Sequence, residues 1–96
     1  MIHHTVCEVS PAKESALDAF LTGKFKKFWT SSSGVVRYHV YGDKLANKLE
    51  RFIMVEVGSF RDYDMIIDLD ERKVLHDELL TLATNVTSRI LEPIAE

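Results

Sequence analysis

Arg37, His39 and Tyr41 alternate along the segment Val35–Tyr41, which reads Val-Val-Arg-Tyr-His-Val-Tyr. The segment is rich in β-branched and aromatic residues, so it reads as a strand. Successive side chains of a strand point to opposite faces, which puts the three on one side. A guanidinium, an imidazole and a phenol side by side can do chemistry together. His39 is suited to general acid or base work, because imidazole titrates near neutrality. Arg37 can stabilise a developing enolate or phenolate, and Tyr41 can orient a substrate.

Other segments add to this face. Arg51–Val57 is a second strand, in which Ile53, Val55 and Val57 oppose Phe52, Met54 and Glu56. Ile2–Val9 is a third, in which Thr5, Cys7 and Val9 oppose His4, Val6 and Glu8. In the tail, Asn85–Leu91, Val86, Ser88 and Ile90 oppose Asn85, Thr87, Arg89 and Leu91. The purely apolar sets belong under helices, including Val36, Tyr38 and Val40 from the first strand discussed. The mixed sets, with Val35 among them, belong on the opposite face. That face gathers His4, Glu8, Phe52, Met54 and Glu56 as candidate substrate contacts around His39, Arg37 and Tyr41. Glu56 or Glu8 would set the imidazole tautomer. Open water has little use for Phe52 and Met54, and a dry interface would not hold so many charges unpaired. A partly enclosed pocket with apolar walls fits both facts. The alternative is a wet interface between two copies, with the charges paired across it and no catalysis.

The elements that position these residues follow in order. Ser10 and Pro11 open a helix expected over Pro11–Trp29, with Ser10 as its cap and Pro11 at its first position. Leu17, Phe20, Leu21 and Phe28, with Phe25 and Trp29, form its apolar side. Lys24, Lys26 and Lys27 form its solvated side. Thr30–Gly34 ends it, with Gly34 as a left-handed stop. A polar connection, Gly42–Glu50, joins the two middle strands as an antiparallel hairpin. Ser59 caps a second helical region in two pieces, Phe60–Leu69 and Asp70–Ala83, the second opening on acidic residues. The order is β-α-β-β-α-β, an α+β ferredoxin-like unit with both helical layers on one face of an antiparallel sheet. A second copy is the simplest cover for the other face, so a homodimer through the sheet is expected.

Composition narrows the function classes. A chain of 96 residues suits one domain, expected over 1–96, and 46% hydrophobic residues argue against disorder. The net charge of -3 argues against nucleic acid, which needs a basic footprint. The lone cysteine, Cys7, cannot form an internal disulfide and is expected to be a buried, inert thiol. No apolar run is long enough to span a membrane, and the start lacks signal-peptide features, so a cytoplasmic location is expected. His3 and His4 are adjacent and point to opposite faces of a strand, so no metal site is expected, and no cofactor is expected either.

The chain resembles the dimeric α-β barrel superfamily, in particular its small antibiotic-biosynthesis monooxygenase-like and stress-responsive members. The residues that carry the resemblance are Val-Cys-Glu-Val-Ser-Pro-Ala-Lys-Glu, Phe-Ile-Met-Val-Glu-Val-Gly-Ser-Phe-Arg-Asp-Tyr and Val-Thr-Ser-Arg-Ile-Leu-Glu-Pro. The resemblance implies a homodimer whose sheets close into a barrel, and an apolar or aromatic small-molecule ligand. It implies monooxygenase-like chemistry without metal or flavin in some members and haem binding in others. Monooxygenase-type sites combine Asn, Trp, Tyr and Arg, which makes Arg37, Tyr41 and Tyr63 the matching candidates. The single Trp, Trp29, ends the first helix instead of lying near the second, and the first strand has no Asn. For haem, His76 is the residue in the axial position. A non-enzymatic, stress-related dimer is the second implication.

Overall fold

β1 (Ile2–Glu8) and β3 (Glu50–Val57) lie side by side in the middle of a four-stranded antiparallel sheet, ordered β2-β3-β1-β4. The edges are β2 (Val35–Gly42) and β4 (Thr84–Leu91). A computed structural model describes residues 1–45 and 48–95; of the connection expected over 42–50, residues 46 and 47 lie outside the described residues. Helices α1 (Glu14–Thr22) and α2 (Lys24–Ser31) connect β1 to β2, and α3 (Phe60–Ile67) and α4 (Asp70–Leu82) connect β3 to β4. This is the ferredoxin-like topology that the element order predicts, with all helices on one face.

Two local details differ from the sequence reading. Ser10 makes no side-chain cap bond, and Pro11–Lys13 forms a single 3-10 turn before α1. The helix expected over Pro11–Trp29 is broken at Gly23, whose backbone (φ -104°, ψ -110°) leaves the helical region. A side chain there would place its Cβ 2.7 Å from the Ala19 carbonyl oxygen, so the close turn needs glycine. The break re-aims α2, and Phe25, Phe28 and Trp29 are buried against the sheet and α4.

Other terminations follow local chemistry. Gly34 adopts φ +91°, the left-handed region, and a Cβ there would meet the Asp62 side chain at 2.5 Å. Ser59 caps α3 by accepting a hydrogen bond from the Asp62 N–H at 3.1 Å, and its hydroxyl lies 2.9 Å from the Asp62 carboxylate. α4 begins on Asp70 and Glu71, whose charges suit the positive end of the helix dipole.

The core lies between sheet and helices. Ile53, Val55 and Val57 from β3 and Cys7 from β1 meet Leu17, Leu21 and Leu79, all at most 1% exposed. Burying each Leu, Ile or Val stabilises the fold by about 1.5–3 kcal/mol. Burial raises the pKa of the Cys7 thiol, which leaves it protonated and unreactive. Val35 and Val36 exchange roles relative to the simple alternation. An irregularity between Val35 and Arg37 sets Val35 opposite Val57 on the core side, and leaves Val36 55% exposed.

Arg51 ties the sheet to α1. Its side chain donates to both Asp18 carboxylate oxygens at 2.8 and 3.0 Å and to Glu14 at 2.7 Å, and it is only 15% exposed. A fork that meets carboxylates in this way is stronger than a point charge. Arg51→Ala is expected to cost about 2 kcal/mol, and Arg51→Lys to recover less than half of that, read as the shift in urea midpoint. A neutral Arg51→Ala would show that α1 is held by its apolar side alone.

Candidate functional site

The two faces of the sheet carry two different groups of polar residues. On the open face the register forms cross-strand rows. His39, Met54, His4 and Arg89 lie in one row, and Tyr41, Phe52, Val6 and Thr87 in the next. Arg37, Glu56, Ile2 and Leu91 form the row beyond. Arg37, His39, Tyr41, Met54 and Glu56, with Ile2, line an open hollow of about 290 Å³. Arg37 and Glu56 pair at 3.5 Å, and His39 and Tyr41 lie 5.9 Å apart. The His4 and Phe52 rings are near-parallel, with centroids 6.2 Å apart. Glu8 sits at the end of its strand, bonded to Asn85 and paired with Lys48 at 3.4 Å, and these partners lower its pKa.

Tyr63 and His76 are elsewhere. They line a narrow cavity of about 170 Å³ between the sheet and the helices, with His3, Thr5 and Ser88 from the strands. Phe25, Trp29, Ile67, Arg72 and Leu79 complete it. β1 supplies His3 and Thr5 because they alternate with His4 and so face the helices. β4 supplies Ser88, which bonds Thr5 across the strand pair at 2.9 Å and leaves both hydroxyls satisfied.

Aromatic rings form the cavity walls. His3 is stacked on Trp29 at 5.5 Å and lies 5.4 Å from Tyr63. Trp29 is 2% exposed, and its Nε1–H is buried without a partner among the described residues. A buried donor without an acceptor is unusual and costly. Arg72 donates from Nε to the Ile67 carbonyl at 2.9 Å, and belongs to no ion pair among the described residues. Burial, then the nearby Arg72, His4 and His76, push the His3 pKa down from 6.5 to about 4, so its imidazole is neutral at physiological pH. Burial raises the Tyr63 phenol, which remains a neutral donor despite Arg72.

The cavity has room for about one ring, since an apolar cavity of roughly 150 Å³ is enough for benzene. A tetrapyrrole does not fit, so His76 is not placed to hold haem here. Among the described residues no cluster of three or more His, Cys, Asp or Glu is placed to hold a metal ion. No helix is long and apolar enough to cross a membrane.

A larger hollow, about 740 Å³, opens between α2 and α3–α4 and is lined by Lys24, Lys27, Met65, Leu69 and others. It is a broad surface groove. Lys24 is already paired with Glu78 at 2.7 Å, and no buried unpartnered polar atom lies in it. The smaller cavity is the one in which polar and aromatic side chains converge.

Arg37, His39, Tyr41, Met54 and Glu56, which strand alternation assigns to the open face, do lie together there. The structure sets Tyr63 and His76 on the other side of the sheet. His3, Trp29, Arg72 and Ser88 also line the smaller cavity, and alternation within single elements does not group them. The signal for His3 was present, as a histidine on the otherwise apolar face of β1.

No protein-family model and no curated protein matches the chain. Solved structures are similar in fold. A candidate antibiotic biosynthesis monooxygenase from Deinococcus radiodurans superposes with a TM-score of 0.79 at 17% identity, over 99% of this chain and 95% of that one. A monooxygenase from the gene ActVA-Orf6 of Streptomyces coelicolor, in complex with Nanaomycin D, gives 0.78 at 15% identity, over 99% and 88%. A mutant of SnoaB, a cofactor-independent oxygenase from Streptomyces nogalater, gives 0.76 at 12% identity, over 99% and 96%. These neighbours are monooxygenase-like proteins of the ferredoxin-like fold, the kind that the sequence resembles. At such identities the likeness is one of fold.

The depressed His3 has a consequence for stability. The unfolded chain binds this proton more readily, so the stability is fully present above pH 6.5 and is lost as the pH falls toward and through about 4. Between pH 7 and pH 4.5 the loss is on the order of 2 to 3 kcal/mol. His3→Gln is expected to remove that part of the acid sensitivity, measured by urea unfolding at both pH values. Equal losses in both proteins would show that other groups carry it.

Proposed function

We propose that this chain binds a small aromatic molecule in the cavity between sheet and helices, as part of a monooxygenase-like reaction that uses no cofactor. It does so as a homodimer joined through the open face of its sheet. The observation that carries the reading is the cavity itself. It is a narrow space walled by His3, Trp29 and Tyr63, with apolar Phe25, Ile67 and Leu79 and a few polar groups converging on it. Such a space fits a planar apolar ligand with a polar edge. The oxygenase neighbours support the class of chemistry.

Within this reading the residues have distinct tasks. Trp29, Phe25 and Tyr63 pack against the ring and exclude water. Neutral His3 stacks on Trp29 and offers a polar edge without adding charge. Arg72 supplies positive charge where an enolate or phenolate would develop.

The open face supports self-association. Phe52, Met54 and Val6 are only partly covered in one copy; Phe52 and Val6 share an apolar row, and Met54 lies in the neighbouring row that carries Arg89. A second copy would bury the apolar rows and leave Arg37, Glu56 and Arg89 to pair or meet water at the rim. The hollow at Arg37, His39 and Tyr41 supports a second reading. A partner closing over it would make a pocket with His39 as the acid or base, Arg37 as the charge stabiliser and Tyr41 as the orienting group. His4, Phe52, Met54 and Glu56 would then complete its surroundings, while Glu8, held by Asn85 and Lys48 at the strand end, lies outside them.

Two measurements separate these readings. Native mass spectrometry should show a dimer, and Phe52→Asp should shift it to monomer while the circular dichroism is kept. A monomeric parent would remove the sheet-face contact. For the ligand, Trp29 is the single Trp, so its fluorescence reports directly on the cavity. Binding of simple phenols should quench it, and Tyr63→Ala should weaken binding by about tenfold while His39→Ala changes little. The reverse pattern, with His39→Ala abolishing binding, would move the site to the open face.

A further inference from the structure

The balance of charge and size in the sheet–helix cavity narrows what it can accept. This step rests on reading that cavity as the ligand site. No carboxylate lines it, while Arg72 does. Arg72 is held by its Nε at the Ile67 carbonyl, and its terminal nitrogens make no hydrogen bond among the described residues. A part-buried cation without a partner favours an incoming anion, and a guanidinium suits a planar oxyanion in particular. The Trp29 Nε1–H is buried without a partner among the described residues and presents no surface to the cavity, so Arg72 is the donor left for a ligand. The Thr5 and Ser88 hydroxyls already satisfy each other, so neither competes for that role.

Size gives the second limit. About 170 Å³ accommodates one ring and a small substituent, by comparison with the roughly 150 Å³ that holds benzene. Fused systems of three rings exceed it. The stacked His3, Trp29 and Tyr63 rings favour a flat ligand over an aliphatic one of equal volume.

We propose that the cavity takes a single-ring aromatic oxyanion, a phenolate or benzoate, with Arg72 as its counter-ion. Arg72 is then the residue that sets specificity for charge, and the closeness of Trp29 to Tyr63 and Phe25 sets specificity for size.

Three probes test this on the full chain: benzoate, its neutral counterpart benzamide, and anthracene carboxylate, which keeps the charge and adds two rings. Binding is read by calorimetry and by Trp29 fluorescence at neutral pH. Benzoate is expected to bind at least about tenfold more tightly than benzamide, and at least about tenfold more tightly than the three-ring acid. Arg72→Gln should reduce benzoate to the level of benzamide without weakening benzamide itself, and Arg72→Lys should keep part of the preference. Equal binding of benzoate and benzamide would overturn the charge assignment and leave the aromatic site standing. Anthracene carboxylate binding as tightly as benzoate would overturn the size limit alone. A preference for benzoate that survives Arg72→Gln would take the counter-ion role from Arg72. If no probe binds or quenches Trp29, the cavity is not the ligand site and this inference falls with it. Should Arg72→Gln fail to fold, the probe comparison on the parent chain and on Arg72→Lys still decides.

Discussion

The helices cover one face of this sheet and leave the other open, and the alternation of β1 and β3 divides every residue between the two. These are the central strands, so each of their side chains is committed to the core or to the open face. A slip of one residue would bring His4, Val6, Met54 and Glu56 under the helices and expel Cys7, Ile53 and Val55. The buried set is apolar enough to prevent this, with Cys7, Ile53, Val55 and Val57 at most 1% exposed. Arg51 marks the end of that pattern. It lies on the core side of β3, but at the rim, where Asp18 and Glu14 of α1 can reach its charge.

The cavity arises where the same rule is relaxed. At His3, Thr5 and Ser88 the core side of the sheet carries polar residues instead of aliphatic ones. Thr5 and Ser88 offset their own burial by bonding each other. His3 does so by staying neutral and stacking on Trp29. Trp29 Nε1 is not offset in this way, and the terminal nitrogens of the half-buried Arg72 make no hydrogen bond among the described residues.

The open face shows a different compromise. Rows of apolar residues, Tyr41 with Phe52 and Val6, lie beside rows that carry charge, Arg37 with Glu56 and His39 with Arg89. Neither water nor a dry contact suits the whole surface. Charges at the ends and apolar groups between them are what a surface shared by two copies would use.

Much of the fold was legible because its signals are local. Alternation marked the strands, Gly34 and Ser59 marked ends and caps, and the acidic start at Asp70 separated α3 from α4. The halves of the open-face group could also be named, since residues of one strand share a face by geometry alone. What the sequence could not convey was the break at Gly23 and the exchange of Val35 with Val36. The first rests on the close approach of Gly23 to the Ala19 carbonyl, and the second on an irregularity in the pairing of β2 with β3. The cavity belongs to the same class. His3, Trp29, Tyr63, Arg72 and Ser88 come from β1, α2, α3, α4 and β4, and no periodicity links them. Periodicity decides which way a side chain points within its own element. Which side chains then meet, and whether a ring-sized space is left among them, is decided only when the separate elements pack against one sheet.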